Sequence, residues 1–575
     1  MQLLQHFKEL TIRPKNTQEL KGLILQLAIQ GKLTSSWREK NPNVEPASEL
    51  IGRIEKEKVR LIKEKKIKKE KPLTRINKDE IPFELPVKWD WFNLGDLGNA
   101  QTGTTPPTKN PENYGTFIPF LGPANISNSS MQYPIEGLSE EGLRKGRLIE
   151  SNSLMMVCIG GSMGKCNINR KDVSCNQQIN ILTPICSPVE YVKIVCQSPY
   201  FQTEVWDRST GSATPMINKN KWLQIPISVP PLEEQKEIVN VVETLFKEVE
   251  QLEQLTVARI GLKDDFVTSA LNQLTTNNAN QEWAFLQDNF KSFFNETTNI
   301  EKLRETVLQL AVQGKLTADW RQQRSLSGAE VEDASQLLKR IQEEKAQLIK
   351  DKKIKKEKAL PPITKGEIPY ELPDGWVWSN ILDISLKVTD GEHATPIRTE
   401  SGYKLLSARN VTNEGIRLHK VDYVDEEEFL RIRKRCDPQK GDILISCSGS
   451  VGRVCLVDKD DEYCMVRSAA LVKHHHKYIY GMYLCYSLRS PLLQLQILEK
   501  SRSTAQSNLF LGKIKELIFP LPPLEEQKAI VQKVNSLMGL CDGLEQEVQQ
   551  SQEHSEQLMQ SCLREVFERD KEVMV

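Results

Sequence analysis

The sequence has no apolar run long enough for a membrane: its longest, Leu154–Ile159, falls far short of the ~20 residues a bilayer-crossing helix needs. The opening Met1-Gln2-Leu3-Leu4-Gln5-His6 lacks the basic and apolar segments of a signal peptide. Its 12 cysteines include no C-x-x-C pair, so neither a zinc ribbon nor a disulfide framework is indicated, and reduced thiols in a cytoplasm are the simpler reading. Net charge is +0, so composition alone predicts no polyanionic partner, and any such contact must come from local patches. What remains is a soluble globular composition, 39% hydrophobic and 27% charged, over 575 residues, too many for one core.

The chain contains itself twice. Gln30-Gly-Lys-Leu-Thr34 returns as Gln313-Gly-Lys-Leu-Thr317, and Trp37-Arg38 as Trp320-Arg321. Ile67-Lys-Lys-Glu-Lys71 returns as Ile354-Lys-Lys-Glu-Lys358, and Glu80-Ile-Pro-Phe-Glu-Leu-Pro86 as Glu367-Ile-Pro-Tyr-Glu-Leu-Pro373. Pro230-Pro-Leu-Glu-Glu-Gln-Lys236 recurs unchanged as Pro522 to Lys528. The spacing drifts slowly, which means one duplication with small insertions and not a short-period solenoid. Between the last two markers lie segments 87–229 and 374–521, similar in length and largely different in sequence. They share a thin skeleton: Thr102-Gly103 then Thr105-Pro106 against Asp390-Gly391 then Thr395-Pro396, and Gly161-Ser-Met-Gly-Lys165 against Gly449-Ser-Val-Gly-Arg453. Kept spacers around varied globules imply a fixed geometry that varies what is read.

The repeated parts read as helices. After Pro230-Pro231, apolar positions fall at Ile238, Val242, Leu245, Val249 and Leu252; the second copy gives Ile530, Val534, Leu537, Cys541, Leu544 and Val548, then Leu558, Cys562 and Val566. This is a coiled-coil seam. Glu233 and Glu234, or Glu525 and Glu526, suit a helix start, where aligned peptide dipoles favour carboxylates. The expected arrangement packs one such helix antiparallel against its copy, with an approximate two-fold axis inside one chain. The boundaries read as an N-terminal helical segment 1–86, a globule 87–229, a central helical spacer 230–373, a second globule 374–521 and a C-terminal helix 522–575. Short β-rich runs broken by glycine turns make both globules mixed α/β.

Motifs for chemistry are sparse. Gly160-Gly-Ser-Met-Gly-Lys165 resembles a phosphate-binding loop, but that loop needs four residues between its glycines and Ser or Thr after the lysine, where this chain has Cys166. A glycine turn between strands is the plainer reading; a further one has it carry Lys165 or Arg453 to a DNA phosphate. Ser198-Pro199-Tyr200 lacks a proline of the motif expected for methyl transfer to a base amino group, and no nuclease acid cluster is visible. His474-His475-His476 reads as a solvated loop before it reads as a metal site. The lysine runs 63–71 and 350–358 read either as solvated helix faces with intrahelical ion pairs or as DNA contacts. Basic residues gather in both globules: Lys109, Arg144, Lys145, Arg147 and Lys165 in the first, and Arg398, Arg409, Arg417, Arg431, Arg433, Lys434 and Arg435 in the second. The loops with Thr104, Thr105, Lys109, Asn113 and Tyr114, and with His393, Thr395, Arg398 and Arg409, offer donors, acceptors and aromatic surface for a major groove.

These markers resemble the specificity subunits of type I restriction–modification complexes across essentially the whole chain. The strongest are the Pro-Pro-Leu-Glu-Glu-Gln-Lys pair and the duplicated Leu-Gln-Leu-Ala-x-Gln-Gly-Lys-Leu-Thr; Asn176-Gln177 and Lys440-Gly-Asp-Ile-Leu444 add support. The resemblance implies two mixed α/β target-recognition domains separated by long antiparallel coiled-coil helices. Each domain would read one half of a bipartite double-stranded DNA sequence; Gln177 joins Lys165 and Arg453 of the glycine turns as a candidate contact. Helices carrying Ile238, Val242, Leu245, Val249, Leu252, Ile530, Val534, Leu537, Leu544 and Val548 would bind two methyltransferase subunits. S-adenosylmethionine would belong to those subunits, ATP and Mg2+ to separate restriction subunits, and this cytoplasmic chain would hold no catalytic or metal site. A coiled-coil interaction scaffold and a self-contained restriction–modification enzyme are the alternatives.

Overall fold

The computed structural model describes residues 14–211, 213–276, 286, 288–326, 333–501 and 507–568; Met1–His6 and the side chains of Leu558, Cys562 and Val566 lie outside the described residues. The chain divides into two units, Met1–Gly261 with Ser555–Val575, and Leu262–His554. Mixed helix and strand content fills both, as the sequence predicts.

In the first unit, α1 (Pro14–Ile29) and α2 (Ala47–Lys63) precede the globule. The globule opens on β1 (Asp90–Asn93), followed by β2 (Gly98–Thr102), β3 (Ile118–Leu121), β4 (Leu154–Val157), β5 (Cys166–Ile168), β6 (Ser174–Cys175) and β7 (Ile179–Pro184). After α3 (Val189–Gln197) and α4 (Lys219–Leu223), β8 (Pro226–Val229) leads into α5 (Leu232–Thr276), 45 residues and about 68 Å long at ~1.5 Å per residue. The main sheet is antiparallel in the order β2-β7-β4-β5, and β3 pairs parallel with β6. Fully buried β4 reads Leu-Met-Met-Val because both its faces are covered. β1 and β8 pair antiparallel, Asp90 opposite Val229 and Asn93 opposite Pro226, so the globule's chain enters and leaves through one ribbon.

The second unit repeats this plan. It has α6 (Thr297–Val312), α7 (Ala334–Lys350), β9 (Val377–Asn380), β10 (Ser385–Asp390), β11 (Tyr403–Leu406), β12 (Asp422–Val424), β13 (Ile443–Ser446), β14 (Val454–Leu456), β15 (Tyr463–Met465) and β16 (Ala469–His474). Then come α8 (Gly481–Arg489), α9 (Leu511–Lys515), β17 (Ile518–Leu521) and α10 (Leu524–Glu568), again 45 residues long. The main sheet runs β10-β16-β13-β14, β11 pairs parallel with β15, and β9 with β17 forms the entry ribbon.

The repeated sequence markers converge on one buried carboxylate in each unit. Glu234 accepts hydrogen bonds from Thr34 Oγ1 (2.7 Å), Arg38 Nη1 (2.6 Å) and Trp89 Nε1 (2.8 Å). Glu526 accepts the same three from Thr317 (2.7 Å), Arg321 (2.5 Å) and Trp376 (2.8 Å). Gly31 (φ 69°) and Gly314 (φ 68°) turn the chain here in the left-handed region; a Cβ on either would sit 2.7 Å from a proline ring. Each carboxylate gains full coordination, which a buried charge requires. Nearby, α2 and α7 are tied to the globules through Lys58, bonded to Gly95 and Asp96 carbonyls, and Lys345, bonded to those of Leu382 and Asp383; burial pushes both ammonium pKa values down.

Three expectations change. The seam residues Ile238, Val242 and Val249 are buried in one cluster with Leu20, Leu23 and Leu27 of α1, Leu245 and Leu252 pack on it, and Lys21 bridges to Glu250, so this stretch is occupied within the chain. Likewise Ile530 and Val534 pack with Val307 and Ala311 of α6, and Leu544 and Val548 with Ile300 and Leu303. In this unit Lys302 reaches Asp264 and Lys315 the Leu274 carbonyl, so α6 runs alongside the tail of α5; Arg304 reaches Asp542, so α6 runs against α10. The α5 tail and α10 are therefore antiparallel. The lysine runs are not helix faces: α2 ends at Lys63 and α7 at Lys350, where Lys65 and Lys352 take positive φ and end the helix. Nor do the histidines form a solvated loop. His474 ends β16 fully buried, with a pKa pushed to about 3 by burial; His475 is buried and bonds Glu344 (2.9 Å), and only His476 is exposed.

Candidate nucleic-acid interface

In the first globule the loop after β2 is forced against the turn after β6. A Cβ on Gly103 would lie 2.1 Å from the Asn176 carbonyl oxygen, so only glycine permits the approach. Thr104 N donates to the Cys175 carbonyl (2.9 Å), and the Thr105 hydroxyl donates to Gln177 Oε1. The structure thus brings Thr104, Thr105 and Gln177 together. Cys158 N bonds the Gln178 carbonyl (2.8 Å), which joins the glycine turn between β4 and β5 to the same edge. That turn is a strand connection, with Gly160 and Gly164 at positive φ, and it carries exposed Lys165. Lys109 is exposed on the loop after β2.

Two predicted contacts are withdrawn from this surface. Asn113 is fully buried: it donates to the Pro107 carbonyl (2.9 Å) and accepts from Lys145 Nζ (3.0 Å). Tyr114 is partly buried, with its hydroxyl on the Pro106 carbonyl (2.9 Å). Both shape the loop from within, because a polar group taken out of water needs a partner and a carbonyl of the same loop supplies it.

The second globule uses the same loops with charged side chains. Gly391 makes the equivalent approach, its Cβ position 2.0 Å from the Met465 carbonyl oxygen. His393 bonds Asp390 (2.9 Å), which also accepts from Arg435 (2.6 Å). Partial burial works against the Asp390 charge, but the Arg435 and His393 hydrogen bonds outweigh it and hold the carboxyl below its ordinary value. Arg398 (3.2 Å) and Arg409 (2.8 Å) share one oxygen of Asp422, and both remain about half exposed. Thr395 is exposed three residues before Arg398, and Arg453, on the β13–β14 turn, bonds Ser450 Oγ (2.8 Å). Of the other predicted basic residues, Arg431 pairs with Glu392 and Glu428, and Arg433 with Asp461.

Sequence reasoning missed Arg467. It follows β15 as Gln177 follows β6, is exposed, and its amide bonds the Glu392 carbonyl (3.1 Å). It missed Asp422 as well, whose role depends on two arginines distant in sequence. The pairing of β6–β7 with β15–β16 would have found Arg467, but Asn176-Gln177 and Val466-Arg467 share no letters.

A family model described as Type I restriction modification DNA specificity domain matches residues 86–258 and 399–553. The EcoEI type I restriction enzyme specificity subunit of Escherichia coli is 30% identical over 571 residues, covering 93% of this chain and 91% of that protein. The EcoAI specificity subunit of Escherichia coli is 29% identical over 548 residues, covering 92% and 90%. A solved structure described as the structural basis of complex assembly and conformational transition of the type I R-M system aligns with a TM-score of 0.49 at 17% identity, over 84% of this chain and 99% of that one.

Proposed function

The chain belongs to the type I restriction modification DNA specificity family, and we propose from that premise that it reads a bipartite duplex sequence, one globule to each half. The observation that supports this best is that one backbone arrangement presents different side chains at the same two loops. Thr104, Thr105 and Gln177 make a neutral face of donors and acceptors, while His393, Arg398 and Arg467 make one rich in guanidinium donors, joined through Asp422 by Arg409 from the loop after β11. Threonine and glutamine suit adenine and thymine edges or either base pair, and paired guanidinium donors suit guanine O6 and N7. Asp422 holds Arg398 and Arg409 in place before DNA arrives, which lowers the ordering cost of binding.

In this reading the chain performs no chemistry. Methyl transfer and cleavage belong to methyltransferase and restriction subunits, with S-adenosylmethionine, ATP and Mg2+ bound there. The seam of α5 and α10 is largely used inside the chain, so those subunits dock on the outer faces of the long helices, where Leu255, Leu262 and Leu540 stand exposed. Among the described residues no helix is long and apolar enough to cross a membrane.

The test is selection of bound duplexes from a random pool. Thr105→Ala should alter letters in one half-site and Arg398→Ala letters in the other, the latter by ~1–3 kcal/mol if it meets guanine. Equal weakening on every sequence would make these residues phosphate contacts. Methyl incorporation from labelled S-adenosylmethionine by the pure chain would overturn the non-catalytic assignment.

A further inference from the structure

Each spacer helix hands the chain to a strap that the core uses only in part. After α2 the chain runs without helix or strand from Glu64 to Asn77, and after α7 from Asp351 to Thr364. Both straps are pinned at one acidic residue. Glu70 accepts from Lys219 of α4 (2.5 Å), and Glu357 accepts from Lys515 of α9. Those helices adjoin the glycine turns of the interface: Ile217 N bonds the Cys158 carbonyl (3.0 Å) and Leu509 N the Cys447 carbonyl (2.9 Å). Farther along, Leu73 packs into the core of its unit and the Thr74 carbonyl accepts from Asn93 Nδ2 (2.9 Å). The first strap is therefore fixed beside the loop edge of its globule by Glu70, Leu73 and Thr74, and the second is held at the matching place by Glu357.

The pin takes up the acid and leaves its neighbours unbalanced. Lys68, Lys69 and Lys71 flank Glu70, and Lys355, Lys356 and Lys358 flank Glu357. All six are exposed and have no ion-pair or side-chain hydrogen-bond partner among the described residues. The backbone points the same way. Lys65 (φ 59°) and Lys352 (φ 56°) stand where the helix closes in the left-handed conformation, a place glycine takes freely and an L residue takes at ~1–2 kcal/mol. Elsewhere the left-handed region is taken by glycines such as Gly375 (φ 81°), by Lys88 (φ 76°), whose ammonium bonds the Pro42 and Val44 carbonyls, and by Asn152, Cys186, Lys420 and Asp461. Lys65 and Lys352 make no such side-chain bond, yet both copies keep lysine.

We propose that each strap is a phosphate grip: its lysines lie along the duplex backbone beside the half-site read by the same unit, adding affinity without reading bases. This rests on the DNA-reading function proposed above. Neutralised phosphates release counterions, so the grip must appear in the salt dependence of binding.

The experiment compares the full-length chain with K68Q/K69Q/K71Q and K355Q/K356Q/K358Q on a pool-selected duplex and an unrelated duplex of equal length, from roughly 50 to 200 mM salt. Each glutamine variant should lose affinity for both duplexes by one factor, on the order of tenfold, with the slope of log K against log salt shallower by about one per lysine that holds a phosphate. Selected letters should not change, and the corresponding lysine-to-arginine variants should bind as wild type. Wild-type affinity and slope in the glutamine variants would overturn the grip, as would a loss confined to the selected duplex or an arginine series as weak as the glutamine one. If wild type selects no sequence while the glutamine variants still lose duplex affinity, the grip stands and base reading falls. If wild type selects letters and the variants keep its affinity and slope, base reading stands and the grip falls.

Discussion

The two carboxylate nodes repeat residue for residue, whereas the two loop faces repeat only their backbone. Around Glu234 and Glu526 the same threonine, arginine, tryptophan and glycine occupy the same places, with matching distances. On the loops beyond β2 and β10 the same backbone approach carries Thr105 with Gln177 in one copy and Arg398 with Asp422 in the other. The β1–β8 and β9–β17 ribbons explain how both can hold at once. Each globule enters and leaves through one paired ribbon, so its loops can change while the node below stays fixed.

The largest expected effect breaks a node. Glu234→Ala and Glu526→Ala each strand an arginine and two further donors, at a cost of about 3 kcal/mol, toward the low end for buried pairs because Arg38 and Arg321 are part-exposed. Urea unfolding should show similar losses for both, with selected DNA letters unchanged in the folded fraction. A loss in only one copy would break the equivalence.

Next are the glycines. Gly31→Ala and Gly314→Ala put a Cβ 2.7 Å from Pro86 or Pro373 in a left-handed conformation and should cost about 2 kcal/mol. Gly543→Ala, in mid-helix with open space at its Cβ position, should instead stabilise by up to ~1 kcal/mol. Melting curves of the three variants check the contrast.

A smaller effect comes from a flaw in the symmetry. Gln527 Oε1 accepts the Tyr480 amide (2.8 Å), but Gln235 Oε1 is buried without a partner, because Pro188 stands at the equivalent place and has no N–H. Gln527→Ala should therefore cost about 1 kcal/mol more than Gln235→Ala. Equal losses would mean that the Tyr480 bond adds nothing.

The smallest is a pH effect confined to the second unit. Hydrogen bonds from Lys477 and Tyr478 hold Glu344 at a pKa of about 2, and His475 bonds it too; on α2, Glu57 pairs with Arg60 of its own helix and with no other charged side chain among the described residues. A depressed carboxylate pKa contributes stability above the unfolded value of ~4.3, lost as pH falls toward the folded one. The gap in urea midpoint between wild type and Glu344→Gln should accordingly narrow from roughly pH 4.5 to pH 2. A constant gap would remove the linkage.

The duplication, the helices and the loop markers were legible because they depend on repeated letters and period. The nodes were visible only as separate motifs, since nothing in Gly-Lys-Leu-Thr or Glu-Leu-Pro says that they meet at Glu234. Asn113 and Tyr114 were misplaced because polarity does not reveal that a side chain is already bonded to its own loop. The lysine runs looked helical because their composition suits a helix, and one positive φ at Lys65 decides otherwise. The buried His474 escaped for a similar reason: a run of three polar letters hides the end of a strand.

The division of labour between node and face is tested most directly by exchanging one globule. Residues 94–225 would replace 381–517, joined where the ribbon strands end, and bound duplexes would be selected from a random pool beside wild type. The account predicts that the letters of the first half-site appear in both halves and those of the second vanish. Unchanged letters in the second half would contradict it and place base recognition in the spacers.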